Sequence, residues 1–264
     1  MIVIIMAGGM GKRMGSDLPK VLHMVSCPYD TNIKLPMLVH VVTRSIQMNP
    51  KKILIIVGKF RDVITSTINI YINSGIIKNP ELIEYIDQDI PLGTAHAINC
   101  TIPHLIPYSS ECTLILSGDV PLISPNTLMN LLGESDKLLI TELENPFGCG
   151  RILVNQNNKI TGIREEKDCS DLEKTIKFVN CGIYQIKTQH LIELIPLIGN
   201  NNKSQEYYLT DIIELLIKNN ISIETIILPK QQQWEIKNVN TQKDLEELND
   251  FIYGMKWNEI NKNN

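Results

Sequence analysis

Five β-branched runs of strand length, at 2–6, 52–57, 82–87, 112–117 and 138–143, are separated by stretches long enough for a helix. This alternation constrains the chain more than any other feature, because apolar residues at helical spacing fill the gaps at 35–48, 60–73, 94–102 and 124–132. Parallel strands cannot be joined by tight turns and need such crossovers. The first half therefore predicts a doubly wound α/β sheet.

After about residue 145 the pattern becomes strand-rich, with "RILVN", "ITGIREE" and "KFVNCGIYQI", then helical "YYLTDIIELLIKNN" and the strand "ISIETIIL". Residues 145–240 are expected to form a smaller lobe beside a nucleotide-binding part at 1–144, within one domain spanning 1–240. Residues 241–264 read as a C-terminal helix and polar tail, with Thr241 as N-cap and acids in its early turns. Tracts such as "KQQQ" and "NKNN" are polar segments expected in loops and frayed ends.

Composition excludes several classes of function. A net charge of −4, with no Lys/Arg block longer than two, offers no basic footprint for nucleic acid. No apolar run approaches the ~18 residues of a membrane span, and the first residues lack the basic region and cleavage site of a leader. A cytoplasmic location follows as an expectation. The six cysteines show no CxxC spacing and read as reduced, structural thiols; the five histidines show no ligand spacing.

Directly after the first strand stands "MAGGMGKRMGSDLPK", residues 6–20. Glycines at a strand-to-helix connection let backbone N–H groups approach an anion. Met14 breaks the dinucleotide pattern GxGxxG, and Arg13 stands where a Walker A loop needs Ser or Thr. What remains is a guanidinium and, at Lys20, an ammonium, a pair suited to polyphosphate but equally compatible with a solvated glycine turn. Farther on, "CTLILSGDVPLIS" ends an apolar strand in Gly118-Asp119. A carboxylate beyond the carboxyl end of such a strand is placed for Mg²⁺, although Asp-x-Pro also simply begins turns.

Together these features resemble the sugar-phosphate nucleotidylyltransferase superfamily. The motifs "SDLPKVLH", "PLGTAHA", "GDVPLIS", "GCGRI", "EYYLTD" and "NVNT" resemble, over residues 1–260, the uridylyltransferase half of the bacterial bifunctional N-acetylglucosamine-1-phosphate uridylyltransferases. That resemblance implies a Rossmann-like mixed sheet of the nucleotide-diphospho-sugar transferase type. It also implies transfer of UMP from UTP to N-acetylglucosamine-1-phosphate with Mg²⁺, yielding pyrophosphate. Carried over by position, Met6, Ala7, Gly8, Gly9, Gly11, Gln88, Gly93 and Thr94 would contact the nucleotide, with Gln88 matching the imide edge of uracil. Arg13 and Lys20 would be catalytic on the phosphates, and Asp119 and Asn240 would hold the metal. Gly150, Glu165, Asn180, Tyr208 and Thr210 would form the amino-sugar pocket.

The chain departs from the pattern at Met10 and Lys12, at Pro91 in place of a second glutamine, and at Ser117 in place of a tyrosine. Residues 26–34 read as a surface insertion. No hexapeptide repeat occurs, so acetyl transfer and β-helix trimerisation are not expected of these 264 residues. Two other readings stay open: a glucose-1-phosphate or CTP-using nucleotidylyltransferase, and a non-catalytic nucleotide-sugar-binding regulatory subunit.

Overall fold

The computed structural model describes residues 1–262 apart from Met10, Lys12, Arg13 and Tyr29. The expected alternation is present: β1 (Ile2–Met6), α1 (Met37–Ile46), β4 (Lys52–Val57), α2 (Arg61–Asn73), β5 (Ile83–Asp87), α3 (Thr94–Leu105), β6 (Cys112–Ser117), α4 (Pro125–Leu131) and β7 (Asp136–Glu142). There follow the strands β8 (Arg151–Val154), β9 (Ile160–Arg164) and β10 (Phe178–Lys187), the helices α5 (Thr188–Leu194) and α6 (Asp211–Lys218), then β11 (Ile223–Ile227) and α7 (Gln242–Lys262).

The main sheet runs β11-β7-β10-β6-β1-β4-β5, and the β8–β9 hairpin branches from β10. Strands β6, β1, β4 and β5 are mutually parallel, while β10 lies antiparallel between β6 and β7. Strands β10 and β11, both after residue 145, thus belong to the same sheet as β1.

Why the early strands are continuously apolar is clear from their two faces. Val3 and Ile5 of β1, with Ile53 and Ile55 of β4, pack into the core beneath α1, α2 and α4. Ile2 and Ile4, with Leu54 and Ile56, pack into the opposite core beneath α3, α5 and α6. A strand buried on both faces has no solvent side to make polar.

The chain leaves β1 toward β4 and β5, then returns through α3 to place β6 on the other side of β1. The carboxyl ends of β1 and β6, where Met6 pairs with Ser117, are therefore the topological switch point of the sheet, where ligands of open α/β folds bind.

The segment 26–34 lies in a hairpin of β2 (Met24–Cys27) and β3 (Asp30–Pro36), and its Asn32, Ile33 and Lys34 are exposed, as a surface insertion requires. Val25 and Ser26 are wholly buried, and Asn249 of α7 accepts from the Ser26 N–H at 3.0 Å. The hairpin and α7 share a third small core of Met14, Val25, Met37, Leu122, Val239 and Leu248. The "KQQQ" tract, read as a loop, begins a 3-10 helix at Lys230–Ile236, bound to β7 through Gln233 Nε2, which donates to Glu142 O at 2.6 Å. The capping residue of α7 is as expected: the Asp244 N–H donates to Thr241 Oγ1 at 3.1 Å, and the Thr241 N–H donates back to Asp244 Oδ2 at 2.9 Å.

Candidate functional site

Two clefts open at the switch point and meet along a wall formed by Met6, Ser117 and Asp119. Asp119 is the second residue past β6, and its orientation comes from the two residues before it. The Gly118 N–H donates to Met6 O at 2.9 Å, in a space where a Cβ would stand 3.1 Å from that oxygen. Ser117 Oγ donates to Asp119 Oδ1 at 2.5 Å. The other carboxylate oxygen, Oδ2, accepts from Lys20 Nζ at 2.5 Å, and the same ammonium donates to Asn240 Oδ1 at 3.0 Å.

Lys20 reaches this point because its turn is anchored by the buried Val21 and Leu22, while Gly11, at φ +54°, packs against its stem. A Cβ on Gly11 would lie 2.8 Å from Lys20 Cβ, so this glycine serves close packing as well as the turn. Asn240 is held from the other direction, its N–H donating to Asp244 Oδ2 at 2.8 Å. Three side chains from distant parts of the chain thus converge, two as oxygen donors and one as a cation. Arg13, expected beside them, lies outside the described residues, as do Met10 and Lys12.

The first cleft, about 320 Å³, is lined by Gly8, Gly9, Gln88, Pro91, Gly93, Thr94 and Glu206 together with Lys20 and the shared wall. Gly8 stands where a Cβ would approach Gly58 N to 3.3 Å, so β1 and β4 can close on each other at their ends. Gly93 and Thr94 tie this cleft to the segment before α6: the Ala95 N–H donates to Tyr207 O at 2.8 Å, the Tyr207 N–H to Leu92 O at 2.9 Å, and the Leu209 N–H to Thr94 Oγ1 at 2.9 Å. The Ala7 N–H is already engaged with Ile56 O at 2.9 Å, and Ala7 is buried.

The second cleft, about 710 Å³, is lined by Gly150, Glu165, Asn180, Gly182, Lys230, Gln233, Trp234, Lys237 and Phe251. Asn180 sits at a bulge in β10, where residues 181–183 stand opposite the single residue Leu139 before pairing with β7 resumes at Tyr184. Gly182, at φ +71°, allows the bulge, and its N–H donates to Asn180 Oδ1 at 2.9 Å. Asn180 Nδ2 donates to the hydroxyl of the buried Tyr184 at 2.6 Å.

Glu165 accepts from Thr210 Oγ1 at 2.9 Å. Its burial holds its carboxyl above the usual range, the Thr210 bond opposing this and the nearby Asp211, Asp168 and Glu206 adding to it. Gly150 is required by the same packing, because a Cβ there would lie 2.9 Å from Ile163 Cγ2. Tyr208 stands apart from Asn180, in a neighbouring depression that it shares with Glu165, Asp168 and Asp211.

Sequence reasoning missed the part played by His96, Tyr184, Glu206 and the Lys230–Lys237 stretch. His96 and Glu206 lay within quoted motifs, but nothing local marked them as lining or supporting a cleft. All six cysteines are free thiols, and among the described residues there is no cluster of three or more His, Cys, Asp or Glu poised to hold a metal. Among those residues no helix is long and apolar enough to cross a membrane.

The model of the MobA-like NTP transferase domain matches residues 3–159. A mimivirus protein described as a probable UDP-N-acetylglucosamine pyrophosphorylase is 43% identical over 253 residues, covering 92% of this chain and 93% of the relative. The bifunctional protein GlmU of Legionella pneumophila (strain Philadelphia 1) is 36% identical over 256 residues, covering 93% of this chain; the chain spans 51% of that relative's length. A crystal structure of a putative glucose-1-phosphate thymidylyltransferase from Bacillus anthracis superposes with a TM-score of 0.67 at 21% identity, covering 96% of this chain and 95% of that one. The inositol-1-phosphate CTP transferase of T. maritima has the same TM-score of 0.67 at 15% identity, over 97% and 96% of the two chains. These likenesses bear out the expected mixed, doubly wound fold, and the chain belongs to the MobA-like NTP transferase family, together with the probable UDP-N-acetylglucosamine pyrophosphorylase of mimivirus and the GlmU proteins.

Proposed function

We propose that this chain transfers UMP from UTP to N-acetylglucosamine-1-phosphate, releasing pyrophosphate and forming UDP-N-acetylglucosamine. The observation that carries the reading is the meeting of two clefts at Asp119, with Lys20 and Asn240 on the same point. A nucleotide in the cleft of Gly8, Gly9 and Gln88 and a sugar phosphate in the cleft of Glu165 and Asn180 bring their phosphates together there. The name of the mimivirus relative, a probable UDP-N-acetylglucosamine pyrophosphorylase, supports the same nucleotide sugar.

The attacking oxygen belongs to a phosphate that is already ionised, so no protein nucleophile or general base is needed. It adds in line to the α-phosphorus of UTP as the bond to pyrophosphate breaks. The work left to the protein is alignment and compensation of charge. Lys20 supplies a fixed positive charge at the junction, Arg13 is assigned to the triphosphate, and the glycines at 8, 9 and 11 let the backbone approach it. Met6 at the end of β1 and Ala7 just after it are assigned to the nucleoside, Gly93 and Thr94 to the base side, and Gly150, Asn180, Glu165, Thr210 and Tyr208 to the sugar.

The residues present fit a divalent metal. Asp119 Oδ2 and Asn240 Oδ1 already converge on one cation, the Lys20 ammonium, and a carboxylate with an amide oxygen is the hard donor set that Mg²⁺ takes alongside phosphate and water. When bound, Mg²⁺ would offset charge on the phosphates. Asp119 and Asn240 are assigned as its protein ligands.

The test is pyrophosphate release in Mg²⁺ with UTP, CTP and TTP, each paired with N-acetylglucosamine-1-phosphate and glucose-1-phosphate. Release with UTP and the acetamido sugar is expected to exceed every other pair. Greater release with CTP or glucose-1-phosphate, or none with any pair, would overturn the assignment.

A further inference from the structure

Gln88 follows β5 and is almost wholly buried, and both hydrogens of its side-chain amide are spent inside the protein. Its Nε2 lies 3.1 Å from Gly93 O and 3.1 Å from His96 Nδ1. A backbone carbonyl can only accept, so the atom facing Gly93 is the amide nitrogen and the side chain cannot be turned over without setting two oxygens against each other. The second amide hydrogen then meets His96 Nδ1, which must offer a lone pair. His96 is accordingly the neutral imidazole with its proton on Nε2.

Only Gln88 Oε1 is left for a ligand. It lies on the side of Gly8, where a Cβ would stand 3.6 Å from it, and both residues line the first cleft. Among the described residues lining that cleft, Gln88 is the only side-chain amide, and Pro91 adds no donor.

We propose that His96 is a positioning residue that, with the Gly93 carbonyl, holds the Gln88 amide so that the base meets an acceptor and no donor. The inference rests on placing the nucleotide in this cleft, and it deepens that reading by naming what selects the base. A pyrimidine with an N–H at the centre of its pairing edge, as in uracil, donates to Oε1. Cytosine presents a lone pair at the same position, so two acceptors face each other and the buried oxygen is left without a partner. Without His96 only the Gly93 carbonyl holds the amide, so the side chain can give up that single hydrogen bond, turn its nitrogen toward the cleft and serve either base.

The experiment compares kcat/KM for UTP and for CTP in the wild type, His96→Leu and His96→Asn. Asparagine carries its amide oxygen on Cγ, where histidine carries Nδ1, and so keeps an acceptor; leucine does not. His96→Leu is expected to lower the UTP-to-CTP preference by about tenfold or more, while His96→Asn keeps it. A preference unchanged in His96→Leu, or lost equally in His96→Asn, would overturn the role of His96 while leaving nucleotidyl transfer standing. A wild type that transfers from neither nucleotide would overturn the placement of the nucleotide itself. Should His96→Leu fail to fold, ¹⁵N NMR of the wild-type imidazole decides the same point: a proton on Nε2 and a bare Nδ1 are expected, and a protonated Nδ1 refutes the arrangement.

Discussion

Gly93 is the residue whose substitution tests most sharply how the fold builds the first cleft. Its backbone sits at φ 124° and ψ 176°, a region open to glycine alone, and holding an alanine there costs about 1–3 kcal/mol. The added Cβ would also stand 2.5 Å from Tyr207 O and 2.7 Å from Tyr207 N, both backbone atoms with no side-chain freedom to yield. Relief requires the two segments to separate, which breaks the bonds Ala95 N–H to Tyr207 O and Tyr207 N–H to Leu92 O, each worth about 1 kcal/mol. Gly93→Ala should therefore lose about 4 kcal/mol in urea unfolding and roughly 10 °C in Tm. Movement of the Gly93 carbonyl also releases Gln88, so KM for UTP should rise with the loss of stability. Gly9→Ala is the control, because its Cβ meets open space and should change stability by less than about 0.5 kcal/mol. A Gly93→Ala protein within about 1 kcal/mol of the wild type, with an unchanged KM for UTP, would refute the reasoning.

His40, buried in α1 with Nε2 donating to Val25 O at 3.0 Å, is held neutral by its burial, and Arg44 adds to the effect against the Val25 bond; its pKa falls from 6.5 to about 4. Between these values the unfolded chain binds a proton that the folded chain does not, so stability declines as pH falls through the window, by up to about 3 kcal/mol. His40→Gln should flatten that decline in urea midpoints compared at about pH 7 and about pH 5, and an unaltered slope would count against it. Asp119→Asn should cut turnover by roughly 100-fold or more without lowering Tm by more than a few degrees, measured by pyrophosphate release and calorimetry. Asn180→Ala leaves the Tyr184 hydroxyl and the Gly182 N–H without their partner, and should cost about 1–3 kcal/mol in thermal unfolding. It should also narrow the preference for N-acetylglucosamine-1-phosphate over glucose-1-phosphate in kcat/KM; equal Tm and equal preference would remove Asn180 from the sugar cleft.

The elements of the first half were legible in the sequence because their signal is local. A strand covered on both faces is apolar throughout, and its helices repeat every three to four residues, so β1, β4, β5 and β6 could be placed within a residue or so of their ends. The glycine loop and the strand-terminal Asp119 were visible for the same reason, as were Lys20 and Gln88 once the motifs were matched. Legibility failed where the partner is remote. Lys20 and Asn240 are 220 positions apart, and nothing in either segment announces that one ammonium will bridge Asn240 and Asp119. The polar stretch from Lys230 has the composition of a loop, and only its attachment to β7 through Gln233 puts Trp234 and Lys237 on the wall of the second cleft.

Gln88 marks the division most clearly. Its chemistry, one donor group and one acceptor, follows from the residue type alone, which by itself allows both to meet the imide edge of uracil. The tertiary structure removes the donor, because Gly93 and His96 consume both amide hydrogens within the protein. Residue type determines which hydrogen bonds a side chain can make. Packing decides which of them remain for a ligand, since every buried polar group must first be satisfied by whatever the fold brings against it.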